Sequence, residues 1–227
     1  MPAPALNWQA IDVVLLDMDG TLLDLHFDSY FWLDHLPARM AQLKGKPEQE
    51  IRAYILEHIR AIEGTLNWYC LDYWAEMLEV DIMALKAEIK HKIQLRPHVG
   101  EFLELLRGLG KKVVLITNSH PSGLDLKLEV TRLDQWLDLI ISSHEFKEPK
   151  EAQAFWHALQ VRDPFDPARA LFIDDTVRVL DSARAYGIGH LLGIHQPDSQ
   201  VPRRLEGYPA IDHFDELLPA LKALANG

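Results

Sequence analysis

Short apolar runs alternate along the chain with segments whose apolar residues recur at helical spacing. Five runs are short, bounded by polar residues and rich in β-branched side chains, which predicts buried strands; they cover residues 11–17, 112–118, 137–143, 170–175 and 190–194. Between them lie amphipathic segments such as VGEFLELLRGLG, where Phe102 and Leu106 share a face and Gly110 suits a helix stop. Alternating strands and helices predict an α/β fold, with a Rossmann-like parallel sheet sandwiched by helices.

One long region interrupts this alternation. Residues 25–95 contain no strand-like run and have a helical pattern throughout. Pro47 and Gly64 suit the start and the stop of one helix, and two more are predicted by the segments NWYCLDYWAEMLEV and DIMALKAEIKHKI. We therefore predict a helical cap domain over 25–95, inserted into a core domain made of residues 1–24 and 96–227.

Three of the predicted strands end in polar side chains. These are Asp17 and Asp19 after the first strand, Thr117 and Asn118 after the second, and Asp174 and Asp175 after the fourth. In open α/β sheets the ligand crevice lies outside the carboxyl ends of the strands. The sequence therefore predicts a polar site at that edge of the sheet.

The stretch VVLLDMDGTLL, from Val13 to Leu23, poses an electrostatic problem. Side chains alternate along a strand, so Asp17 and Asp19 should point the same way. Two carboxylates this close repel each other, and burial strengthens the repulsion. Either a cation lies between them or one of them holds a proton.

Composition narrows the function classes. The 227 residues are 48% apolar and 25% charged, as in an ordinary globular protein. A net charge of −11 argues against a groove for polymeric nucleic acid, which needs clustered Lys and Arg. A small phosphorylated substrate needs only a local positive charge and stays compatible. The sequence carries no signal for an oligomeric state.

Targeting and redox signals are few. The N-terminus MPAPALNWQAID lacks the features of a signal peptide, and no apolar run reaches the ~20 residues of a membrane span. Cys70 is the single cysteine, which excludes an internal disulfide and fits a reducing compartment. We expect a soluble, cytoplasmic protein without a membrane partner. The 11 histidines show no metal-ligand spacing of the H-E-x-x-H type.

Four polar motifs follow one another in a defined order: DMDGTLL, the pair TN, a lysine within KEPKEAQAFW, and the pair DD. This order resembles the haloacid dehalogenase superfamily across essentially the whole chain. The segments NWYCLDYWAE, PKEAQAFWHAL and LFIDDTVRVLDSARAYGI further resemble its GMP/IMP 5′-nucleotidase branch. The resemblance implies a capped phosphatase that acts on a small phosphomonoester, a purine 5′-mononucleotide.

The resemblance also implies roles for the acidic residues. Asp17 is the candidate nucleophile, because a carboxylate can attack phosphorus and form an aspartyl-phosphate. Asp19 is the candidate general acid that later acts as base. The implied cofactor is Mg²⁺, bound by Asp17, the backbone carbonyl of Asp19 and Asp175. Asp174 would act through a coordinated water or by contacting the ligands without touching the ion. Such an ion would resolve the repulsion between the carboxylates.

The remaining motif residues are expected to bind phosphate. Thr117 and Asn118 would hydrogen-bond the oxygens of the transferring group. A lysine should compensate the charge of Asp17 and phosphate together, and the sequence offers Lys147 and Lys150. We favour Lys150, because it follows Pro149 and opens the helical pattern EAQAFWHAL.

Several alternatives stay open at this level. The same fold could serve a sugar phosphate, phosphoglycolate or a phosphomutase reaction, and a non-catalytic nucleotide-binding protein is a further, weaker reading. The dehalogenase reaction is disfavoured, because it attacks carbon without Mg²⁺ and typically lacks the second aspartate. Trp68, Tyr69, Tyr73 and Trp74 could stack on a purine, although aromatic residues at such spacing more often fill a small core.

Overall fold

A computed structural model describes residues 6–226 of the chain. Residues 1–5 and Gly227 lie outside the described residues. Residues 1–5 belong to the predicted core domain and begin the N-terminal segment that was examined for a signal peptide. Among the described residues, none of the helices is both long enough and apolar enough to cross a membrane.

A six-stranded parallel sheet forms the centre of the fold. Its strands lie in the order β3-β2-β1-β4-β5-β6. They are β1 Val13–Leu16, β2 Lys112–Thr117, β3 Leu139–Ser142, β4 Ala170–Asp174, β5 His190–Ile194 and β6 Ala210–Ile211. The central strand β1 pairs with β2 on one side and β4 on the other, so Leu16 lies between Leu115 and Ile173. The five predicted strands are confirmed, with ends that differ by at most two residues.

Helices cover both faces of the sheet, which confirms the predicted α/β class. The core helices are α7 Val99–Gly108, α8 Pro121–Thr131, α9 Gln153–Arg162, α10 Val177–Tyr186 and α11 Leu218–Ala225. On one face Phe102 packs against Phe214 with ring centroids 4.7 Å apart, and on the other Trp156 packs against Phe172 at 5.2 Å. A parallel sheet covered on both faces needs apolar residues at consecutive strand positions, and all four residues of β1 are buried.

The stretch from residue 26 to residue 92 is described throughout and contains helices and no strand. Its helices are α1 His26–Tyr30, α2 Leu36–Lys44, α3 Glu48–Ile62, α4 Leu66–Tyr69, α5 Leu71–Leu78 and α6 Ile82–Glu88, with a π-helical stretch over Phe31–His35. The segment that leaves the sheet after β1 and the segment that returns to it before α7 are hydrogen-bonded to each other through their backbones. Asp24 N donates to Gln94 O at 3.0 Å, and Arg96 N donates to Leu22 O at 2.9 Å.

One predicted helix is broken in the structure. The segment NWYCLDYWAEMLEV was expected to be continuous, but α4 and α5 are separated at Cys70, which is extended with φ −82° and ψ 107°. The indole nitrogen of Trp74 donates to the carbonyl of Trp68 at 3.0 Å. This side-chain bond supplies a donor to a carbonyl at the end of α4, and helical periodicity does not indicate such a bond.

Candidate active site

The polar ends of β1, β2 and β4 meet in one cavity of about 480 Å³. Asp17 continues β1, and its amide donates to the carbonyl of Ile173 at 3.0 Å, which keeps the residue in the register of the sheet. The sequence-predicted residues Asp17, Asp19, Thr117, Asn118, Lys150, Asp174 and Asp175 all line this cavity. Its volume lies within the range of small-ligand sites.

Three of the carboxylates form a buried cluster. One oxygen from each of Asp17, Asp174 and Asp175 lies within 4.8 Å of the others. Burial and the neighbouring Asp174 raise the pKa of Asp17 to about 6 against the opposing effect of Lys150. Burial likewise raises the pKa of Asp175 to about 7, with Asp17 adding to the effect. The clustered carboxylates therefore strongly favour a positive partner.

Lys150 supplies one positive charge to this cluster. Its Nζ donates to Asp17 Oδ1 at 2.6 Å and to Asp174 Oδ2 at 2.8 Å. Burial lowers the pKa of Lys150, but Asp17 and Asp174 outweigh burial and raise it above its ordinary value. Lys147, the other candidate lysine, is exposed and has a left-handed backbone with φ 57°.

The cluster keeps a net negative charge, because its three carboxylates face the ammonium group of Lys150 and, 3.6 Å from Asp175 Oδ2, the guanidinium group of Arg203. Asp17 Oδ2 is buried and accepts no hydrogen bond from any described residue. Asp174 is better satisfied, since its second oxygen accepts from the amide of Thr176 at 2.8 Å. A divalent cation matches both the residual charge and the open carboxylate oxygen, and Mg²⁺ prefers such oxygen ligands. The residues present therefore fit Mg²⁺.

Asp19 belongs to a second group of charges. Lys127 Nζ donates to Asp19 Oδ1 and to Asp28 Oδ2, both at 2.7 Å, and Lys86 Nζ donates to Asp28 Oδ1 at 2.8 Å. Two carboxylates face two ammonium groups here, so this set is neutral as a whole. The side chain of Asp19 is thus outside the three-carboxylate cluster, and binding of a metal through its backbone carbonyl stays a prediction.

The pKa of Asp19 suits proton transfer near neutral pH. Burial raises it to about 6, Lys127 opposes that shift, and Asp28 adds to it. Burial also acts to raise the pKa of Asp28, but Lys127 and Lys86 together lower it well below its usual range. Asp28 therefore stays ionised and holds Lys127 in place, while Asp19 can take up and release a proton.

Asn118 connects β2 to the loop that carries Lys150. Its Oδ1 accepts from the backbone amide of Lys150 at 2.9 Å, and its Nδ2 donates to Glu151 Oε2 at 3.0 Å. Thr117 Oγ1 accepts from the amide of Ser119 at 3.0 Å, which fixes the turn after the strand. Both residues thus shape the edge of the cavity at the carboxyl end of β2.

Gly20 permits the close approach of the first and fourth motifs. It has φ +85°, and a Cβ atom placed on it would lie 2.9 Å from Asp175 Cγ and 2.9 Å from Pro197 Cβ. Real Cβ atoms do not approach other carbons so closely, and a left-handed backbone disfavours other residues. Glycine at this position allows Asp175 to reach Asp17.

The helical stretch forms the opposite wall of the cavity with aromatic rings. Trp68 and Tyr69 of the predicted aromatic run line it, together with Trp32. Trp74 also borders the cavity, but it is fully buried and packs against Tyr73 edge to face. The run thus divides between the cavity wall and the helical core.

Sequence reasoning missed several residues of this site. Lys127 follows Leu124 by three positions and lies on the same buried face of α8. A single lysine on the apolar face of a predicted helix could have indicated a buried charge. Glu151 accepts from both Asn118 Nδ2 and the hydroxyl of Tyr69, at 3.0 Å and 2.7 Å. Asp28 carried no signal, because its partners Lys86 and Lys127 lie 58 and 99 positions away.

Comparisons with known proteins agree with this geometry. The model of the haloacid dehalogenase-like hydrolases matches residues 11–187. The chain is 44% identical over 217 residues to GMP/IMP nucleotidase YrfG of Escherichia coli strain K12, a match that covers 95% of this chain and 98% of that protein. A phosphoglycolate phosphatase of Nitrosococcus oceani is 27% identical, covering 86% of this chain and 94% of its own. The crystal structure of a HAD phosphatase from Thermococcus onnurineus has a TM-score of 0.76 at 22% identity, covers 93% of this chain and 98% of its own, and supports the fold alone.

Proposed function

The chain belongs to the haloacid dehalogenase-like hydrolases, as its four motifs predicted, and on this basis we propose a specific reaction. The protein is a Mg²⁺-dependent phosphatase that hydrolyses purine 5′-mononucleotides, GMP and IMP, to nucleoside and phosphate through an aspartyl-phosphate. The observation that carries the chemistry is the buried cluster of Asp17, Asp174 and Asp175, which keeps a net negative charge beside Lys150 and Arg203 and faces an aromatic-lined cavity.

Substrate binding begins with the phosphate. Thr117 and Asn118 donate hydrogen bonds to its oxygens, and Lys150 offsets the combined charge of phosphate and Asp17. The indole of Trp68 or Trp32 stacks on the purine, an interaction worth ~1–3 kcal/mol per base. This arrangement places the 5′-phosphate at the sheet edge and the base against the helical wall of the cavity.

Two proton-coupled steps complete the reaction. A carboxylate oxygen of Asp17 attacks phosphorus, the ester bond breaks, and Asp19 gives its proton to the departing ribose oxygen. Asp19 then takes a proton from a water molecule that attacks the phosphorus of the aspartyl-phosphate, which releases phosphate and restores Asp17. The pKa of Asp19, raised by burial to about 6, supports both roles near neutral pH.

Asp17, Asp175 and the backbone carbonyl of Asp19 are the residues that would hold Mg²⁺, with Asp174 supporting them through Lys150 and Thr176. The ion supplies charge neutralisation, which allows a carboxylate to approach an anionic phosphate.

We further propose that 25–95 is a cap domain that opens and closes over the cavity, with hinges near Leu23–Asp28 and Leu95–His98. The backbone hydrogen bonds Asp24–Gln94 and Leu22–Arg96 support this boundary, because they join the two segments that connect the cap to the core. Closure would exclude bulk water during phosphoryl transfer.

A panel of phosphate esters tests the substrate. We expect kcat/KM for GMP and IMP to exceed that for ribose 5-phosphate about tenfold or more, because the sugar phosphate keeps the same ester and lacks the stacked base. Glucose 6-phosphate and phosphoglycolate should also be poorer substrates, and EDTA should abolish all release. Fastest turnover on a sugar phosphate or on phosphoglycolate would favour the alternative hypothesis, a phosphatase for that substrate. A phosphomutase would convert the sugar phosphate without releasing phosphate. EDTA-resistant activity would exclude the metal mechanism.

Thermal unfolding tests the metal site without turnover. At a Mg²⁺ concentration one hundred times its Kd, we expect Tm to rise by about 5–10 °C, because binding to the folded state stabilises it by about 2.7 kcal/mol. Asp175→Asn should lose most of this shift. The matched control is Asp125→Asn on the exposed face of α8, which should keep it. An undiminished shift in Asp175→Asn would place the ion elsewhere.

A further inference from the structure

A second cluster of metal-ligating side chains lies outside the carboxylate site. Cys70 lies between α4 and α5, His120 directly precedes α8, and His144 lies in the short 3-10 turn after β3. One ligand atom of each lies within 4.8 Å of the other two. The three residues come from three separate segments, which explains why the spacing of the histidines in the sequence gave no indication of a metal site.

Two ring nitrogens in this cluster have no hydrogen-bond partner. His120 Nδ1 and His144 Nε2 are both buried, and neither makes a hydrogen bond within the part of the chain that the structure describes. Leaving a buried polar atom unpaired costs free energy. The two imidazoles pack edge to face with centroids 5.0 Å apart, so a ligand between them could satisfy both nitrogens at once.

The other nitrogen of His120 faces a carboxylate. Asp72 Oδ2 lies 3.5 Å from His120 Nε2, which leaves Nδ1 as the nitrogen available to a ligand. Histidines that bind metals commonly donate their second N–H to a carboxylate, which fixes the ring and raises its basicity. His144 is positioned from its backbone, because its amide donates to Ser142 Oγ at 3.2 Å.

We propose that Cys70, His120 and His144 form a binding site for Zn²⁺ that is separate from the Mg²⁺ site. One thiolate and two imidazoles are a ligand set that suits tetrahedral Zn²⁺ and leaves a fourth position for water. Mg²⁺ prefers oxygen ligands, so the two sites differ in the metal they select.

The position of the site gives Zn²⁺ a consequence for turnover. Cys70 belongs to the helical stretch, whereas His120 and His144 follow strands of the sheet, and His120 lines the catalytic cavity. A metal bound by all three ties the two sides of the cavity together. Because substrate must enter and product must leave between these sides, Zn²⁺ at this site inhibits the enzyme by holding it closed. This consequence rests on the proposed function, whereas the binding site itself does not.

Cobalt spectroscopy tests the binding site directly. Co²⁺ is added to the full-length protein in excess Mg²⁺, which occupies the carboxylate cluster. We expect a near-ultraviolet thiolate-to-cobalt charge-transfer band at one equivalent, displaced by Zn²⁺. Cys70→Ser should abolish the band, and Asp72→Asn should weaken binding by about two- to fivefold, as expected for the loss of an exposed carboxylate beside His120. His91→Ala changes an exposed histidine and should leave the titration unchanged.

The outcomes separate binding from inhibition. Absence of the band in the wild type, or its persistence in Cys70→Ser, would overturn the site. Phosphate release in excess Mg²⁺ should be inhibited by Zn²⁺ in the wild type and resist the same Zn²⁺ concentration in Cys70→Ser. Equal inhibition of both proteins would assign the inhibition to the carboxylate cluster and refute the closing effect. If no phosphate ester is turned over at all, the proposed function fails, yet the cobalt titration still decides the zinc site.

Discussion

Asp17→Asn is expected to lower kcat for GMP hydrolysis by at least about 10³-fold while leaving the protein folded. The amide has nearly the shape of the carboxylate but cannot form an acyl phosphate. The substitution also removes one of three clustered negative charges, and burial already raises the pKa of Asp17 to about 6 because the ionised form is poorly solvated there. The loss should therefore lie in the chemical step and not in the fold.

A chemical trap distinguishes a nucleophile from a residue that only helps to bind the metal. Sodium borohydride reduces an acyl phosphate to an alcohol, so wild-type protein quenched during turnover should carry homoserine at position 17, visible by peptide mass spectrometry. Asp125→Asn makes the same change on an exposed helix face and should match the wild type in rate and trapping. Turnover of Asp17→Asn near the wild-type rate, or trapping at another residue, would remove Asp17 from its role.

The sheet could be predicted because its signals are local. Each of β1 to β5 contains a run of consecutive apolar residues, and a strand buried on both faces needs that pattern. The sixth strand was missed, because Ala210–Ile211 contains two residues and shows no periodicity. The break at Cys70 was missed for a different reason. The indole of Trp74 donates to the Trp68 carbonyl across the break, and helical periodicity does not indicate a side-chain bond of this kind.

The candidate site follows the same division. Asp17, Thr117 and Asp174 could be placed together from sequence, because parallel strands bring their carboxyl ends to one edge. The neutral group around Asp19 could not, because Lys127 meets it from 108 positions away. From the sequence, Asp17 and Asp19 were expected to repel each other and to share one cation or proton. In the structure each carboxylate has its own partners: Lys127 lies beside Asp19, and Asp17 belongs to the incompletely neutralised carboxylate cluster.

Lys150→Ala is expected to reduce kcat by about 10²–10³-fold and also to destabilise the protein. Its ammonium group is buried and joins Asp17 to Asp174. In the proposed mechanism its loss therefore removes the charge that offsets the transferring phosphoryl group. Removing one partner of a buried ion pair leaves uncompensated charge and costs about 3–5 kcal/mol. Rates measured in Mg²⁺, together with urea unfolding, record both effects. Lys147→Ala, on an exposed side chain, should change neither.

A double variant separates the catalytic loss from the structural one. In Lys150→Met with Asp174→Asn, one positive and one negative charge leave the cluster together, and the asparagine oxygen can still accept the bond that Thr176 N now donates to Asp174. We expect this protein to regain much of the stability that Lys150→Ala loses, because the charge imbalance is reduced, and to remain as slow. Recovery of turnover along with stability would show that Lys150 acts only by holding the fold. Loss of turnover in Lys147→Ala but not in Lys150→Ala would assign the phosphate-facing charge to the exposed lysine, against the placement of Lys150 beside Asp17.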